Sequence, residues 1–246
     1  MLKKIALACA FTISVSFASW DLFPVLENHK GETRVGVSFE KQGEPMELMP
    51  YVGSRYTVMP NLELAVLVPY YIHLNMNNDN GLSDPNFMVR YQFLPFLNAF
   101  LDIRIPISYS PSSSGAWAFS FGAQYSQKFG IVNFGSQLGL MIATRGNNKI
   151  SPPMTLQAAV EADFEFGAPV IPFVGVNAAM EIGKYTKEGE NIGPSHTGHM
   201  IATPVAGIEF IINPTFSLRA TGGASFGKHV ENDIPFYAGL HLDMKL

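Results

Sequence analysis

The sequence predicts an all-β fold: a transmembrane, antiparallel, up-and-down β-barrel of about twelve strands around a polar lumen. Three observations predict it. Apolar and polar residues alternate through most of the 246-residue chain, as they do in strands with two different faces. The connections alternate between short turns and polar loops that are mostly longer. The charges within the strands fall on the face opposite the apolar one.

The start of the chain has the pattern of a secretory signal peptide. Lys3 and Lys4 precede an apolar run at residues 5–17, and the small residues Ser16 and Ala18 close it. The alternative, a transmembrane helix, needs about 20 apolar residues, more than this run offers. We expect cleavage after Ala18. The predicted domains are a signal peptide at 1–18, a short N-terminal periplasmic segment at 19–32 and a single outer-membrane barrel at 33–246.

Composition excludes several classes of function. Cys9, inside the leader, is the only cysteine, so the exported chain would have neither disulfides nor thiol catalysis. Loss of Lys3 and Lys4 with the leader takes the formal net charge from −4 to −6. An acidic balance argues against nucleic acid as a partner. After the leader, no stretch approaches 18 consecutive apolar residues, so we expect no membrane-spanning helix.

The alternation divides the chain into twelve strands with nearly regular spacing, which indicates a series of hairpins. The predicted strands are 33–40, 47–58, 62–73, 86–93, 100–110, 116–128, 132–145, 154–166, 172–184, 199–212, 216–227 and 234–246. Short turns follow every second strand, for example at 59–61 and 213–215. Longer polar loops follow the others, for example at 75–85 and 185–198. Outer-membrane barrels have tight periplasmic turns and long extracellular loops.

The stretch LDIRIPISYS at residues 101–110 raises the question of which face looks inward. One parity carries leucine, isoleucine and tyrosine, and the other carries Asp102 and Arg104. A soluble barrel would turn the apolar face inward. About eight strands already give a filled interior, so twelve enclose more space than their apolar side chains fill. The charged face therefore looks into the lumen. The candidate lumen-lining residues are Arg34, Arg90, Asp102, Arg104, Glu161, Asp163, Glu165, Glu181, Glu209 and Arg219.

Aromatic residues and prolines give two further expectations. Ten of the nineteen phenylalanines flank the short turns, which predicts an interfacial girdle at one rim of the barrel. They are Phe93, Phe96, Phe100, Phe129, Phe134, Phe164, Phe166, Phe173, Phe210 and Phe216. Four prolines fall inside predicted strands, and a closed barrel has no free edge for them. We expect bulges or strand ends at Pro50, Pro69, Pro106 and Pro204.

Two stretches, NLELAVLVPY at 61–70 and GLSDPNFMVRYQF at 81–93, resemble a known family. It is the bacterial outer-membrane β-barrel family of transporters of the MetA pathway of phenol degradation. In that family a strand ending in Pro-Tyr precedes a G-L-x-D motif, which opens a strand ending in Lys/Arg-Tyr-x-Phe. The matching positions are Pro69, Tyr70, Gly81, Asp84, Arg90, Tyr91 and Phe93. The resemblance covers about a third of the barrel and departs at Pro85 and Asn86. It implies a channel for small molecules, hydrophobic ones among them.

Histidines and serines raise two chemical alternatives. His196 and His199 have a metal-like i, i+3 spacing, and His73 and His229 fall on the same loop side. We favour solvated rim histidines and predict no metal and no cofactor, because the flanking sequence supplies no supporting ligands. A lipid hydrolase would need an activated serine at the lipid-facing surface. Ser195 with His196, and His241 without a neighbouring serine, are weak candidates, so we predict no catalytic residue.

The charge pattern leaves two interpretations of the lumen open. The carboxylates of strands eight to ten face the arginines of strands one, four, five and eleven. One interpretation is a transverse electric field that selects polar solutes. The other is a network of ion pairs that fills a narrow bore. The sequence predicts a non-enzymatic, passive channel for small solutes, hydrophobic or aromatic ones among them, embedded in outer-membrane lipid. The alternative is a closed barrel that binds a protein partner through its loops, chiefly residues 185–198.

Overall fold

Twelve long strands form the wall of the molecule. The computed structural model describes residues 22–41, 46–75, 80–108, 113, 115–147, 149–227 and 234–246. In chain order the strands are β1 (Gly31–Lys41), β2 (Met46–Met59), β3 (Leu62–His73), β4 (Asn86–Leu94), β5 (Leu97–Arg104), β6 (Ala118–Phe129), β7 (Val132–Ala143), β8 (Met154–Phe164), β9 (Val170–Ile182), β10 (Met200–Ile211), β11 (Phe216–Ala224) and β12 (Phe236–Lys245).

Every strand pairs antiparallel with its neighbours along the chain, and the last pairs with the first. In the closing pair, Arg34 of β1 lies opposite Asp243 of β12. Closure satisfies the backbone hydrogen bonds of the wall and leaves no free edge, which is what a bilayer demands of a β-structure. The predicted up-and-down barrel is confirmed.

The two ends of the barrel differ as the sequence predicts. At one end the turns are short: two residues separate β2 from β3, and Asn61 there has a φ of 67°, while Gly130 between β6 and β7 has a φ of 60°. Asparagine and glycine tolerate this left-handed region best. Gly31 and Leu246 exchange backbone hydrogen bonds at the same end. It is the periplasmic end, since outer-membrane barrels keep their tight turns there.

Folded pieces occur within the longer, extracellular connections. Ile150–Ser151, Tyr185–Lys187 and Glu190–Ile192 form a separate three-stranded sheet that joins two loops. Gly81–Leu82 pairs with the outer part of β3. The loops at this end are therefore organised by their own backbone hydrogen bonds.

The wall of the barrel carries its apolar face outward. Leu138 and Val174 in the middle of β7 and β9 are 58% and 51% exposed, whereas Arg90 and Gln157 are 2% and 1% exposed. Water-soluble proteins show the opposite arrangement. Such a surface is stable against acyl chains, so the protein is an outer-membrane barrel, and the charged face of LDIRIPISYS looks inward. Among the described residues no helix has the length and hydropathy of a membrane span.

The fifth strand differs most from its predicted limits. It begins at Leu97 and ends at Arg104, instead of covering 100–110. Beyond it, the amide of Ile105 donates to the carbonyl of Pro85, and that of Ile107 donates back to Ile105. The chain therefore follows β4 as far as Ile105 and turns at Pro106, as expected of a strand end.

The other three prolines stay within strands without a bulge, so that expectation is wrong for Pro50, Pro69 and Pro204. The pairing of β2 with β3 lapses beside Pro50 and Pro69 and resumes in the same register. The pairing of β10 with β11 lapses beside Pro204 in the same way. A local gap in the hydrogen-bond ladder accommodates the missing N–H without an extra residue.

The aromatic girdle is partly correct. Phe93, Phe129 and Phe166 are at least half exposed near the short turns. Phe100 and Phe173 are 4% and 3% exposed and lie on the inward parity of β5 and β9, so the prediction is wrong for these two. Proximity to a turn sets the height of a residue in the barrel, but parity decides which face it occupies.

Candidate functional site

A chain of alternating charges lines the periplasmic third of the lumen across five adjacent strands, β12 and β1–β4. We call it the ion belt; its members are Asp243, Arg34, Glu32, Arg55, Glu63 and Arg90. Successive members approach each other: Arg34 to Asp243 at 2.6 Å, Arg55 to Glu32 at 2.9 Å and Arg90 to Glu63 at 3.6 Å. Three cations and three anions balance, which favours keeping them all buried.

On this side of the barrel the predicted arginines find partners along the wall. Arg34 contacts Asp243 of β12 and Arg90 contacts Glu63 of β3, each on an adjacent strand. The parity test places Glu63 and Asp243 on the inward face, although they are not among the ten candidate residues. It misses Glu32 and Arg55, which follow the inward parity of β1 and β2, because Glu32 precedes the predicted first strand and the test was not applied to β2.

Above the ion belt, towards the extracellular side, the same wall is apolar. We call this area the apolar patch; it comprises Met49, Tyr51, Ala65, Leu67, Tyr71 and Met88. Leu67 and Met88 are 4% and 2% exposed although they are on the lumen face. Its outer border is a contact between Glu47 and His73, with Nδ1 of the imidazole 2.9 Å from the carboxylate. The lumen surface of β2 and β3 therefore has a mixed character, charged towards the periplasmic end and apolar above it.

A second charged contact bridges the lumen side of β8 and β11. Arg219 donates to Glu161 across a distance of 2.7 Å, and its guanidinium carbon lies 3.7 Å from the ring centroid of Phe173. Glu209 lies directly opposite Arg219 in the pairing of β10 with β11. Here the structure does bring together oppositely charged residues of the predicted set, and the stacked ring holds the guanidinium by a cation–π contact.

The remaining predicted residues lie in different places. Asp163 is buried near the periplasmic end of β8. Glu165 lies beyond that strand at the rim and pairs with the exposed Lys128. Asp102 and Arg104 are half-buried on β5. Glu181 ends β9 on the extracellular side, where it contacts a loop.

The segment before β1 lies inside the periplasmic mouth. Leu22 is buried against the inner face of β7, where a Cβ on Gly135 would be 2.7 Å from the Cβ of Leu22. The amide of Leu26 donates to Glu63 at 3.1 Å, and the hydroxyl of Thr57 donates to the carbonyl of Leu26 at 3.0 Å. Since β7 lies across the ring from β1 and β2, residues 22–30 cross the mouth. No periodic pattern in the sequence indicates this placement.

Inward aromatic rings rest on inward glycines of neighbouring strands. Phe100 occupies the space beside Gly139, where an added Cβ would lie 2.6 Å from the ring. Phe173 rests in the same way on Gly207, and Tyr51 on Gly36. Because glycine has no Cβ, the rings can lie close to the wall.

The histidines are less exposed than the sequence predicts. His196 is 8% exposed, and its Nδ1 lies 2.9 Å from the Glu181 carboxylate, so the expectation of a solvated rim is wrong for this residue. His73 is equally buried, against Glu47. His229 is outside the described residues. Loops fold these side chains against strand ends, which spacing alone does not reveal.

The hydrolase candidates do not form a lipid-facing site. The hydroxyl of Ser195 donates to the carbonyl of Gly183 and to Thr197. His241 is buried in the lumen, 3.3 Å from Asp243 and hydrogen-bonded to Tyr51. Neither arrangement places a serine and a histidine together on the outer surface.

Comparison with solved structures agrees with this geometry. An outer-membrane channel from Pseudomonas putida F1 superposes with a TM-score of 0.73 at 10% identity, over 91% of this chain and 98% of that one. The chain has the fold of an outer-membrane β-barrel. The translocator domain of the autotransporter NalP from Neisseria meningitidis gives 0.59 at 10% identity, over 98% and 97% of the two chains. The NanC porin gives 0.58 at 9% identity, over 87% and 100%.

Sequence comparisons add no narrower assignment. No family model matches the chain, and no curated protein matches it. The resemblance to the phenol-degradation transporters is therefore still carried only by the motifs at 61–70 and 81–93. The structure gives one of them a physical role: Asp84 accepts hydrogen bonds from the amide of Ser108 at 3.1 Å and the hydroxyl of Ser113 at 2.6 Å. It thereby anchors the loop after β5.

Proposed function

We infer that the barrel is a passive channel for small solutes that combine an apolar body with a polar group. The observation that carries this proposal is the contact between the apolar patch and unpartnered polar atoms on β4 and β5. Met88 of the patch lies opposite Asp102, and Arg90 is two residues further along β4. Among the described residues, Nε and Nη2 of Arg90 and Oδ1 of Asp102 meet no hydrogen-bond partner. Buried polar atoms of this kind ordinarily bind water or ligand.

The chemistry of this wall suits an aromatic or otherwise amphipathic molecule. Its ring would pack on Leu67 and Met88 while an acidic or hydroxyl group reaches Arg90. This is consistent with the phenol-degradation resemblance and with a non-enzymatic role. The channel would work in outer-membrane lipid after removal of residues 1–18, without a cofactor.

Transport of an amphipathic solute provides the main test. Liposomes containing the purified protein should take up benzoate faster than a neutral sugar of similar size. Leu67→Thr should reduce that preference by several-fold because it makes the patch polar. Val66→Thr is a matched control, since Val66 is 41% exposed on the outer face. An unchanged preference in Leu67→Thr would contradict the proposed role of the patch.

Charge selectivity tests the lumen residues separately. In planar bilayers the protein should show discrete conductance. Glu161→Gln should make the channel more selective for anions, because it leaves the charge of Arg219 without its partner, and Arg104→Ala should make it more selective for cations. The reversal potential in a salt gradient reports both changes. Glu190→Gln, in an exposed extracellular loop, is the control. Equal reversal potentials in all the variants would contradict a charged conducting path.

A closed barrel that binds a partner is the second candidate. The three-stranded sheet of the extracellular loops favours it, because that sheet makes residues 185–192 a folded surface. This role predicts that the protein is silent in bilayers and co-purifies with another envelope protein. Isolation as a lone, conducting barrel would contradict it.

A further inference from the structure

A cluster of three metal-ligating side chains lies at the extracellular end of β9, away from the lumen features of the proposed channel. Glu181 is the second-last residue of that strand, and His196 and His199 lie in the loop that follows it. One candidate ligand atom from each residue lies within 4.8 Å of the other two. Two imidazoles and one carboxylate form a donor set that zinc enzymes use.

Backbone hydrogen bonds hold the three residues in place. The amide of His196 donates to the carbonyl of Gly183 at 2.9 Å, and the amide of Gly198 donates to that of Glu181 at 3.0 Å. The amide of Glu181 donates to the carbonyl of His199 at 2.9 Å, and that of His199 to His196 at 2.9 Å. The loop therefore returns to the strand end as a closed unit, and the ligands do not depend on side-chain contacts alone to meet.

A tyrosine supports the carboxylate. The hydroxyl of Tyr185 donates to Oε1 of Glu181 at 2.9 Å, and its ring packs edge-on against His196 with centroids 4.9 Å apart. Oε2 of Glu181 lies 2.9 Å from Nδ1 of His196. Glu181 and His196 are both 8% exposed. Metal-binding carboxylates and histidines are commonly oriented by such outer partners and shielded from bulk water.

The second imidazole distinguishes this cluster from an ordinary histidine–carboxylate pair. The ring of His199 lies 4.7 Å from that of His196. Two imidazoles beside one carboxylate would repel each other if both were protonated, but both can ligate one cation in their neutral form. Tetrahedral zinc sets its ligands about 3.3 Å apart, because its bonds to nitrogen and oxygen are about 2 Å long. The observed spacing needs only a small closure.

We propose that Glu181, His196 and His199 bind a divalent transition-metal ion, with Zn²⁺ as the best fit. The ion replaces the hydrogen bond between Glu181 and His196. A water molecule completes the coordination. Bound metal ties the loop of residues 183–199 to the end of β9 and stiffens this side of the extracellular mouth.

Metal binding can be measured on the folded barrel in detergent, without a polyhistidine tag and after treatment with EDTA. Titration with Zn²⁺ against a chromogenic chelator should show one equivalent bound. Co²⁺ should give the visible absorption bands of a tetrahedral site with nitrogen and oxygen ligands. His196→Ala, His199→Ala and Glu181→Gln should each weaken Zn²⁺ binding at least tenfold. His29→Ala, at the opposite end of the barrel, should leave it unchanged.

A second readout follows the loop itself. Lys184 and Lys187 are exposed in this loop. Zn²⁺ should slow tryptic cleavage there in the native protein and have no effect in the His196→Ala/His199→Ala double variant. The gel mobility of the unboiled barrel should show that both proteins are folded. The proposal would be overturned if the double variant bound Zn²⁺ and was protected from trypsin as well as the native protein. It would also be overturned if the native protein bound no stoichiometric Zn²⁺. Neither result bears on whether the lumen conducts.

Discussion

Two hydrogen bonds, 2.6 and 3.2 Å long, join the guanidinium of Arg34 to the carboxylate of Asp243. These residues belong to the first and last strands, so the pair spans the seam at which the barrel closes. Both side chains are at most 10% exposed. The seam is therefore held by a buried, two-pronged ion pair in addition to the backbone ladder.

Removal of one partner should weaken this seam. Arg34→Met leaves a buried carboxylate without its cation, and such a loss costs about 3–5 kcal/mol of unfolding free energy. Urea titration of the refolded barrel, followed by the gel mobility of unboiled samples, measures the change. The double variant Arg34→Met/Asp243→Leu should recover most of the loss because no buried charge is left alone. Equal stability of the single variant and the native protein would contradict this role.

The orientation of the wall can be tested with two adjacent residues of β9. Val176 is 40% exposed on the outer face, and Asn177 follows it on the inner face. Lysine at the lipid-facing midplane costs about 2–4 kcal/mol, so Val176→Lys should lower the folded fraction in liposomes at a given urea concentration. Asn177→Lys places the same charge in the lumen and should fold almost as well as the native protein. If Asn177→Lys lowered the folded fraction more than Val176→Lys, the inner and outer faces would be the reverse of those described.

The N-terminal segment should restrict the periplasmic mouth. Deletion of residues 22–26 removes the chain that crosses from Gly135 to Glu63 and should raise single-channel conductance several-fold. Leu22→Cys with Gly135→Cys should lock the segment by a disulfide after a shift of about 1 Å, since a Cβ added at Gly135 would lie 2.7 Å from that of Leu22 and disulfides need roughly 3.8 Å. Cys9 is the only native cysteine. Reduction breaks the disulfide. It should raise the conductance of the locked form only if the freed segment then leaves the mouth. Equal conductance of the deletion variant and the native protein would contradict a restricting role.

Export should remove the leader. Mass spectrometry of the protein isolated from outer membranes should give an N-terminus at Ser19. Ala18→Leu should block the cut because signal peptidase requires a small residue there. A mature protein that begins at Met1 would contradict the predicted leader.

The wall of the barrel was predictable because parity and turn residues are local. In every strand one parity faces the lumen and the other faces lipid, and the bilayer enforces this along the whole strand. This single rule accounts for the inward position of Arg90, Asp102 and Arg219. Turn-forming residues such as Asn61 and Gly130 indicate the short turns in the sequence.

The contacts inside the lumen were harder to predict, because they depend on register and on loops. Arg219 meets Glu161 three strands away, a pairing that alternation does not specify. Leu22 reaches β7 through a segment without periodicity. His196 meets Glu181 only because the loop turns back on its own strand. Such distant contacts follow from closure of the whole ring.

The contact of Phe173 with Gly207 leaves no room for a methyl group at this position of β10. An added Cβ would lie 2.2 Å from the carbonyl oxygen of Ala220 on β11 and 2.3 Å from the ring of Phe173, on which the guanidinium of Arg219 is stacked. Gly207→Ala would therefore disturb the pairing of two strands and the stacked pair together. The spacing of β10 and β11 and the position of Arg219 in the lumen both depend on a residue that has no side chain.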